Sequence, residues 1–168
     1  FENYPDAKVK IPKDIYPPRK GKPQYSRDKE QWIPGPNGLP ILKAGRFAGR
    51  TVSGKFIHGT DLHSLERQYN QGVIAIDEGV GKLIKALKET GQYENTLIVF
   101  GADQGIAWGQ KGFQMKLAPY DGTIRGPLIV SMPKNFPAGK VCPKPVGGAD
   151  LVPTFFKTAG LELPWNMH

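Results

Sequence analysis

Residues Thr96-Leu97-Ile98-Val99-Phe100 form an apolar run with no polar alternation, and the run ends in Gly101-Ala102-Asp103-Gln104-Gly105. Such a run reads as a strand buried on both faces, the pattern of a parallel sheet. Ahead of it, Leu62, Leu65, Tyr69, Val73, Ile76, Val80, Leu83 and Leu87 recur at helical spacing. That stripe predicts one long amphipathic helix. Thr60 or Asp61 can cap its start, Gly91 can stop it, and Lys82, Lys85 and Lys88 suit the dipole at its end. Helix and strand together make an αβ unit, so the fold class read from the chain is α/β.

The rest of the chain frames that unit. Residues 101–126 are glycine-rich and loop-like, and Pro127-Leu128-Ile129-Val130-Ser131 predicts a second short buried strand. Asp150 can cap a helix over Leu151–Ala159, with Pro153 tolerated in the first turn and Gly160 as the stop. Residues 1–60 hold 8 of the 16 prolines and show no sustained periodicity. A hairpin is expected around Asn37-Gly38. Irregular segments this long usually shape a site or wrap a structure. Ile11, Ile15, Trp32, Ile33, Leu39 and Ile41 offer apolar anchors, so an ordered wrap is expected over 1–60 and an αβ core over 61–164.

Charge is unevenly placed. The net charge is +8, and residues 1–60 carry 12 Lys/Arg against 5 Asp/Glu. A basic segment attracts sulfated sugars, phosphates or other polyanions, although a solvated surface explains it as simply. Nucleic-acid binding is not expected, because Tyr16, Tyr25 and Trp32 are spaced irregularly among prolines and make no regular stacking platform. No apolar stretch is long enough to span a membrane, and no signal-peptide pattern opens the chain. The first residue is Phe1 rather than Met, so a fragment or processed product is expected. The single cysteine, Cys142, excludes an intramolecular disulfide.

Asp103 and Gln104 stand just past the carboxyl end of the first strand, where open α/β sheets bind ligands. Both offer hard oxygen donors, which suit Ca²⁺ or Mg²⁺ better than Zn²⁺. Taken singly, Asp103 is an ordinary turn or cap residue, Gln104 a loop carboxamide and Lys116 a solvated lysine.

Four blocks, read in order, resemble the sulfatase family. Tyr69 and Val73-Ile74-Ala75-Ile76-Asp77-Glu78-Gly79-Val80-Gly81, followed by Asn95-Thr96-Leu97-Ile98-Val99-Phe100, are similar to the family's long helix and the strand after it. Ala102-Asp103-Gln104-Gly105 resembles its metal-binding "S/A-D-N/H/Q-G". Lys116-x-x-x-Tyr120-Asp121-Gly122-x-x-Arg125-x-Pro127-Leu128-Ile129-Val130 resembles "K-x-x-x-Y/F-E/D-G-x-x-R-x-P-L-I-V". Asp150-Leu151-Val152-Pro153-Thr154 through Ala159-Gly160 and Pro164 is similar to "D-L-x-P-T-L-L-x-x-A-G-x-x-x-P". Residues 1–68 carry no firm motif.

The resemblance implies part of an alkaline-phosphatase-like three-layer domain with a mainly parallel sheet, in which 1–168 is a single partial domain. It implies a sulfuric-ester hydrolase acting on sulfated carbohydrates or aryl sulfates, with Ca²⁺ (Mg²⁺ as the alternative) as cofactor. Asp103 and Gln104 become metal ligands and Lys116 the catalytic, sulfate-binding lysine. The family's nucleophile is a formylglycine made from cysteine in "C-x-P-S/A-R", an element that lies upstream of the helix and is absent here. Cys142 does not replace it, since Cys142-Pro143-Lys144-Pro145 departs from that motif and follows the metal pair. Cys142 is therefore expected to be structural or an exposed free thiol. Asp121 and Arg125 are expected to order their loop through polar contacts. Lys111 stands in Gly109-Gln110-Lys111-Gly112 where relatives commonly have histidine, and both a solvated lysine and a substrate contact are open. His63 is expected to cap or pack at the helix start, and His58 is a general-acid candidate. The partner implied is the remainder of a sulfatase domain, and the address implied is extracytoplasmic (periplasmic, secreted or lysosomal). The alternatives are a phosphoesterase or phosphonate hydrolase of the same superfamily, or a non-catalytic basic polyanion-binding domain.

Overall fold

The computed structural model describes residues 10–44, 48–52, 55–57, 59–116 and 118–165, with the backbone alone at 50–52 and 55–57. In chain order the elements are α1 (Gln24–Arg27), β1 (Trp32–Pro34), β2 (Pro40–Leu42), β3 (Arg50–Val52), β4 (Lys55–Ile57) and α2 (Leu62–Glu89). They continue with β5 (Ile98–Gly101), β6 (Ala107–Trp108), β7 (Gln114–Met115), α3 (Asp121–Ile124), β8 (Leu128–Ser131) and α4 (Leu151–Thr158). The chain forms two compact units, one of residues 1–82 with 104–126, the other of 83–103 with 127–168.

The first unit gathers around Trp32, which is fully buried with Ile15, Leu42, Leu62 and Leu65. Burying roughly 200 Å² of indole at about 25 cal/mol per Å² contributes roughly 5 kcal/mol. The proline-rich segment over 10–44 supplies Ile15, Trp32 and Leu42 to this core. Its hairpin pairs β1 with β2 antiparallel, Ile33 opposite Ile41. Gly38 takes φ +74° in the turn, a conformation glycine adopts without a Cβ clash. A second apolar cluster joins Ala107, Phe113 and Ala118 under Tyr120.

Helix α2 matches its predicted limits because both ends are written locally. Asp61, rather than Thr60, is the cap: its Oδ1 accepts the Ser64 N–H at 2.9 Å and its Oδ2 the Ser64 hydroxyl at 2.9 Å. At the other end Gly91 sits at φ +69°. There the Gln92 N–H reaches the Leu87 carbonyl at 2.8 Å and the Gly91 N–H the Lys88 carbonyl at 3.1 Å. This paired bonding satisfies carbonyls that a helix end otherwise leaves orphaned. Leu62 and Leu65 are buried, while further along the stripe Ile76 is 54% and Leu83 67% exposed.

In the second unit both predicted strands form, but they pair antiparallel, with Val99 opposite Val130 and Phe100 opposite Ile129. All pairings among the described residues are antiparallel, and the expected parallel sheet is not seen there. Nor are the strands buried on both faces: Ile98–Phe100 are half-buried and Ile129 is 61% exposed. The physical reason is that two strands alone leave each other's outer edge and much of both faces uncovered. Helix α4 contributes Phe155 and Thr158, and Ala159 just after it, to a cavity of about 710 Å³ shared with Leu97, Val99 and Met132. Gly160 stops α4 at φ +71°, as expected. The Asp150 carboxylate does not cap α4; it accepts the Gly147 N–H at 2.7 Å and closes the preceding turn.

Candidate functional site

The β6/β7 ribbon sets the position of two of the three candidate residues. Ala107 pairs with Met115 and Trp108 with Gln114. Continued by one step, this register puts Lys116 across from Ile106, two residues after Gln104. Gln104 and Lys116 therefore leave the ribbon at the same end. Gln104 is exposed and Lys116 half-buried. Next to Gln104, the Gly105 N–H donates to the Thr123 carbonyl at 2.9 Å. A Cβ at Gly105 would press on the carbonyls of Gly122 and Arg125, so this close approach requires glycine. Asp103 is joined to Gln104 by one peptide bond but is counted with the second unit. It is exposed, in the bend after β5, where the Ala102 N–H donates to the Pro127 carbonyl at 3.2 Å.

The donor chemistry of Asp103 and Gln104 fits a hard cation, since one is a carboxylate and the other a neutral carboxamide. Two side chains fall well short of the roughly six to eight oxygens that Ca²⁺ takes. Among the described residues no cluster of three or more His, Cys, Asp or Glu gathers into a cage. The pair can supply part of a shell, and the rest must come from elsewhere.

Ahead of Lys116 the backbone is strained. Gly109, Lys111, Gly112 and Met115 all have positive φ, of 91°, 55°, 74° and 60°. Two of the four are not glycine, and a side chain held there costs of order 1–3 kcal/mol, so neighbouring structure must enforce it. The segment from Asp14 to Trp32 lies against this loop at Gly109 and from Lys111 to Gln114. Asp14 accepts the Lys111 N–H at 3.0 Å and pairs with the Lys111 ammonium at 2.9 Å. Burial raises the Asp14 pKa, but the Lys111 hydrogen bonds and charge outweigh it and hold the carboxyl below its ordinary value. Gln31 Oε1 accepts the Gln114 N–H at 3.1 Å, and Trp32 Nε1 donates to the Phe113 carbonyl at 3.2 Å.

Arg19 is the centre of this segment. It is buried, and its guanidinium donates to four carbonyls: Asp14 and Ile15 at 2.6 Å, Ser26 at 2.7 Å and Lys29 at 2.9 Å. Burial lowers its pKa, opposed by the nearby Asp14 and Tyr120. The guanidinium occupies the space where a Cβ at Gly112 would go, and Ile15 does the same at Gly109. Lys29 lies over the Phe113 ring and Lys22 over the Tyr120 ring.

The remaining candidates fall into place around this framework. Lys111 is neither free in solvent nor directed by its loop alone, because Asp14 holds it. His63 is half-buried in the first turn of α2. His58 lies outside the described residues. Cys142 is an exposed thiol, as expected. Asp121 and Arg125 are exposed, and the buried polar group ordering their loop is Thr123, whose hydroxyl donates to the carbonyls of Ala118 and Tyr120. The sequence reading missed Asp14, Arg19 and Gln31, whose targets lie up to 97 residues away or on the backbone. Only the glycines at 109 and 112 hinted that something presses on this loop.

Residues 10–161 match the Sulfatase family. The chain is 34% identical over 117 residues to an N-acetylglucosamine-6-O-sulfatase of Bacteroides thetaiotaomicron, covering 70% of this chain and 21% of that protein. It is 29% identical over 154 residues to a sulfatase of Formosa agariphila, covering 89% of this chain and 29% of the other. A solved structure, described as a complex with its substrate D-glucosamine-2-N,6-O-disulfate, superposes with a TM-score of 0.59 at 35% identity, over 62% of this chain and 21% of that one. The chain thus spans between a fifth and a third of the length of these relatives. With the family match running through Asp103, Gln104 and Lys116, this chain belongs to the sulfatase family.

Proposed function

We propose that this chain is the part of a single sulfatase domain that supplies Asp103, Gln104 and Lys116 to the hydrolysis of a sulfate ester. The observation that carries the reading is the ribbon of β6 and β7, which sends Gln104 and Lys116 out at one end inside a family match covering residues 10–161. The net reaction adds water to R–O–SO₃⁻, breaking one ester linkage to give R–OH and sulfate with release of a proton. Lys116 presents its ammonium to a sulfate oxygen, where it balances the charge that grows as the ester opens. Asp103 and Gln104 hold part of the shell of a hard cation, Ca²⁺ in preference to Mg²⁺. When bound, that cation supplies charge neutralisation at the sulfate. The nucleophile, a formylglycine by family resemblance, and the remaining cation ligands belong to sequence outside residues 1–168. In the same proposal β5 and β8 are strands of a larger, mainly parallel sheet, which accounts for their uncovered apolar side chains.

The proposed substrate is a sulfated carbohydrate, supported by the relatives named for N-acetylglucosamine 6-sulfate and disulfated glucosamine. An extracytoplasmic setting belongs to the same reading. No described helix is long and apolar enough to cross a membrane. The test is turnover by the full-length protein of p-nitrophenyl sulfate, N-acetylglucosamine 6-sulfate and the matching phosphate esters. Sulfate release that collapses in Lys116→Ala supports the reading. Preference for the phosphate esters would move the protein to the phosphoesterase reading, and absence of turnover with retained polyanion binding would make it a binding domain.

A further inference from the structure

Resting on the assignment of Lys116 above, we propose that the segment Asp14–Trp32 is a positioning device for the Lys116 loop, acting through Asp14, Arg19 and Gln31. The loop from Gly109 to Met115 is short and holds four residues at positive φ, two of them non-glycine. A free chain would leave those conformations, because L side chains rarely adopt them. The segment grips the loop along nearly its whole length. Ile15 packs where Gly109 lacks a Cβ, Asp14 takes the backbone and side chain of Lys111, and Arg19 fills the space over Gly112. Trp32 then holds the Phe113 carbonyl and Gln31 the Gln114 N–H. Lys116 begins two residues after the last of these contacts.

The grip is itself rigid. Arg19 has its Nε, Nη1 and Nη2 committed to backbone carbonyls of residues 14, 15, 26 and 29, so it staples both ends of the segment together. The fork of donors explains why arginine stands there: a lysine ammonium cannot span four acceptors in a plane. Asp14 then serves two masters, its carbonyl held by Arg19 and its carboxylate by Lys111. In this proposal the same ion pair makes Lys111 an anchor of its own loop. None of these residues touches sulfate in this scheme; they act only through Lys116.

The experiment uses the full-length protein with Asp14→Ala, Asp14→Asn, Lys116→Ala and the Asp14→Ala/Lys116→Ala double variant. Two quantities are read: amide hydrogen exchange at Lys111 and Gln114, and kcat and KM for p-nitrophenyl sulfate. Asp14→Ala is expected to speed exchange at both amides and to lower kcat by about 10- to 100-fold, more than it raises KM, since small misplacements of a reacting group cost that much. Asp14→Asn keeps an oxygen for the Lys111 N–H but loses the ion pair, so it should fall between wild type and alanine. In the Lys116→Ala background the Asp14 substitution should add little. Unchanged exchange in Asp14→Ala would overturn the grip. A multiplicative loss in the double variant would overturn its action through Lys116. Full turnover by Lys116→Ala would instead refute the lysine assignment, with the exchange data still deciding whether the segment holds the loop.

Discussion

Trp32 joins two kinds of contact in one side chain, an apolar face in the core and an Nε1–H on the Phe113 carbonyl. Trp32→Ala should therefore destabilise the first unit by about 3–5 kcal/mol, read as a lower urea midpoint. Trp32→Phe should recover most of that and leave the Phe113 carbonyl without its donor. Asp14 makes a pH prediction. Its folded pKa lies below the ordinary aspartate value of 3.8, because Lys111 overcomes the effect of burial. A lowered carboxyl pKa adds stability above the unfolded value and loses it as pH falls through the folded one. Both partners are more than a third exposed (34% for Asp14, 38% for Lys111), so screening keeps the effect to about 1 kcal/mol or less. Urea melts from neutral pH to about pH 3 should show the acid loss in wild type and a smaller one in Asp14→Asn. An equal loss in both would remove the ion pair from the account. Neither Asp14 nor Arg19 was legible in the sequence. Each acts on backbone atoms or on a residue far along the chain, and such contacts leave no period and no motif.

At the scale of elements, legibility follows how local the signal is. Helix α2 could be read to within a residue or two because its stripe, its Asp61 cap and its Gly91 stop all lie within the segment itself. The hairpin of β1 and β2 was legible for the same reason, through Asn37-Gly38. The β5/β8 pairing was not, because an apolar run announces a strand but not the direction of its partner. The Asp150 carboxylate shows a further limit: a good cap residue chose the turn before α4 over α4 itself. Two glycines in and after α2 test the local signals. Gly91 is at φ +69° with open space around it, so Gly91→Ala meets no steric neighbour and should cost about 1–2 kcal/mol from backbone conformation alone. Gly79 lies in the helix interior, also with open space, so Gly79→Ala should stabilise the chain by about 0.5–1 kcal/mol. Thermal melts followed by helical circular dichroism separate the two signs.

Across the whole molecule, large apolar side chains lie exposed on several elements. Ile76, Leu83 and Ile129 are each more than half exposed on elements whose sequence pattern marks them for burial. Exposed apolar groups at this density bind dyes and promote association. The isolated 168-residue chain should therefore bind anilinonaphthalene sulfonate strongly and show no aryl sulfatase turnover; metal-dependent turnover by it alone would contradict the proposed division of the site. Asp103-Gln104 and Lys116 stand out in the sequence because each sits in a block that resembles a family motif, and their roles at a site are the proposal. What surrounds them was not legible. Asp103 is proposed to help hold the cation on which sulfate hydrolysis depends, and Asp103→Ala in the full-length protein tests that role most directly. Bound Ca²⁺, measured by elemental analysis after equilibration and desalting, should drop together with turnover of p-nitrophenyl sulfate to background. Wild-type metal content and wild-type turnover in that variant would contradict the account.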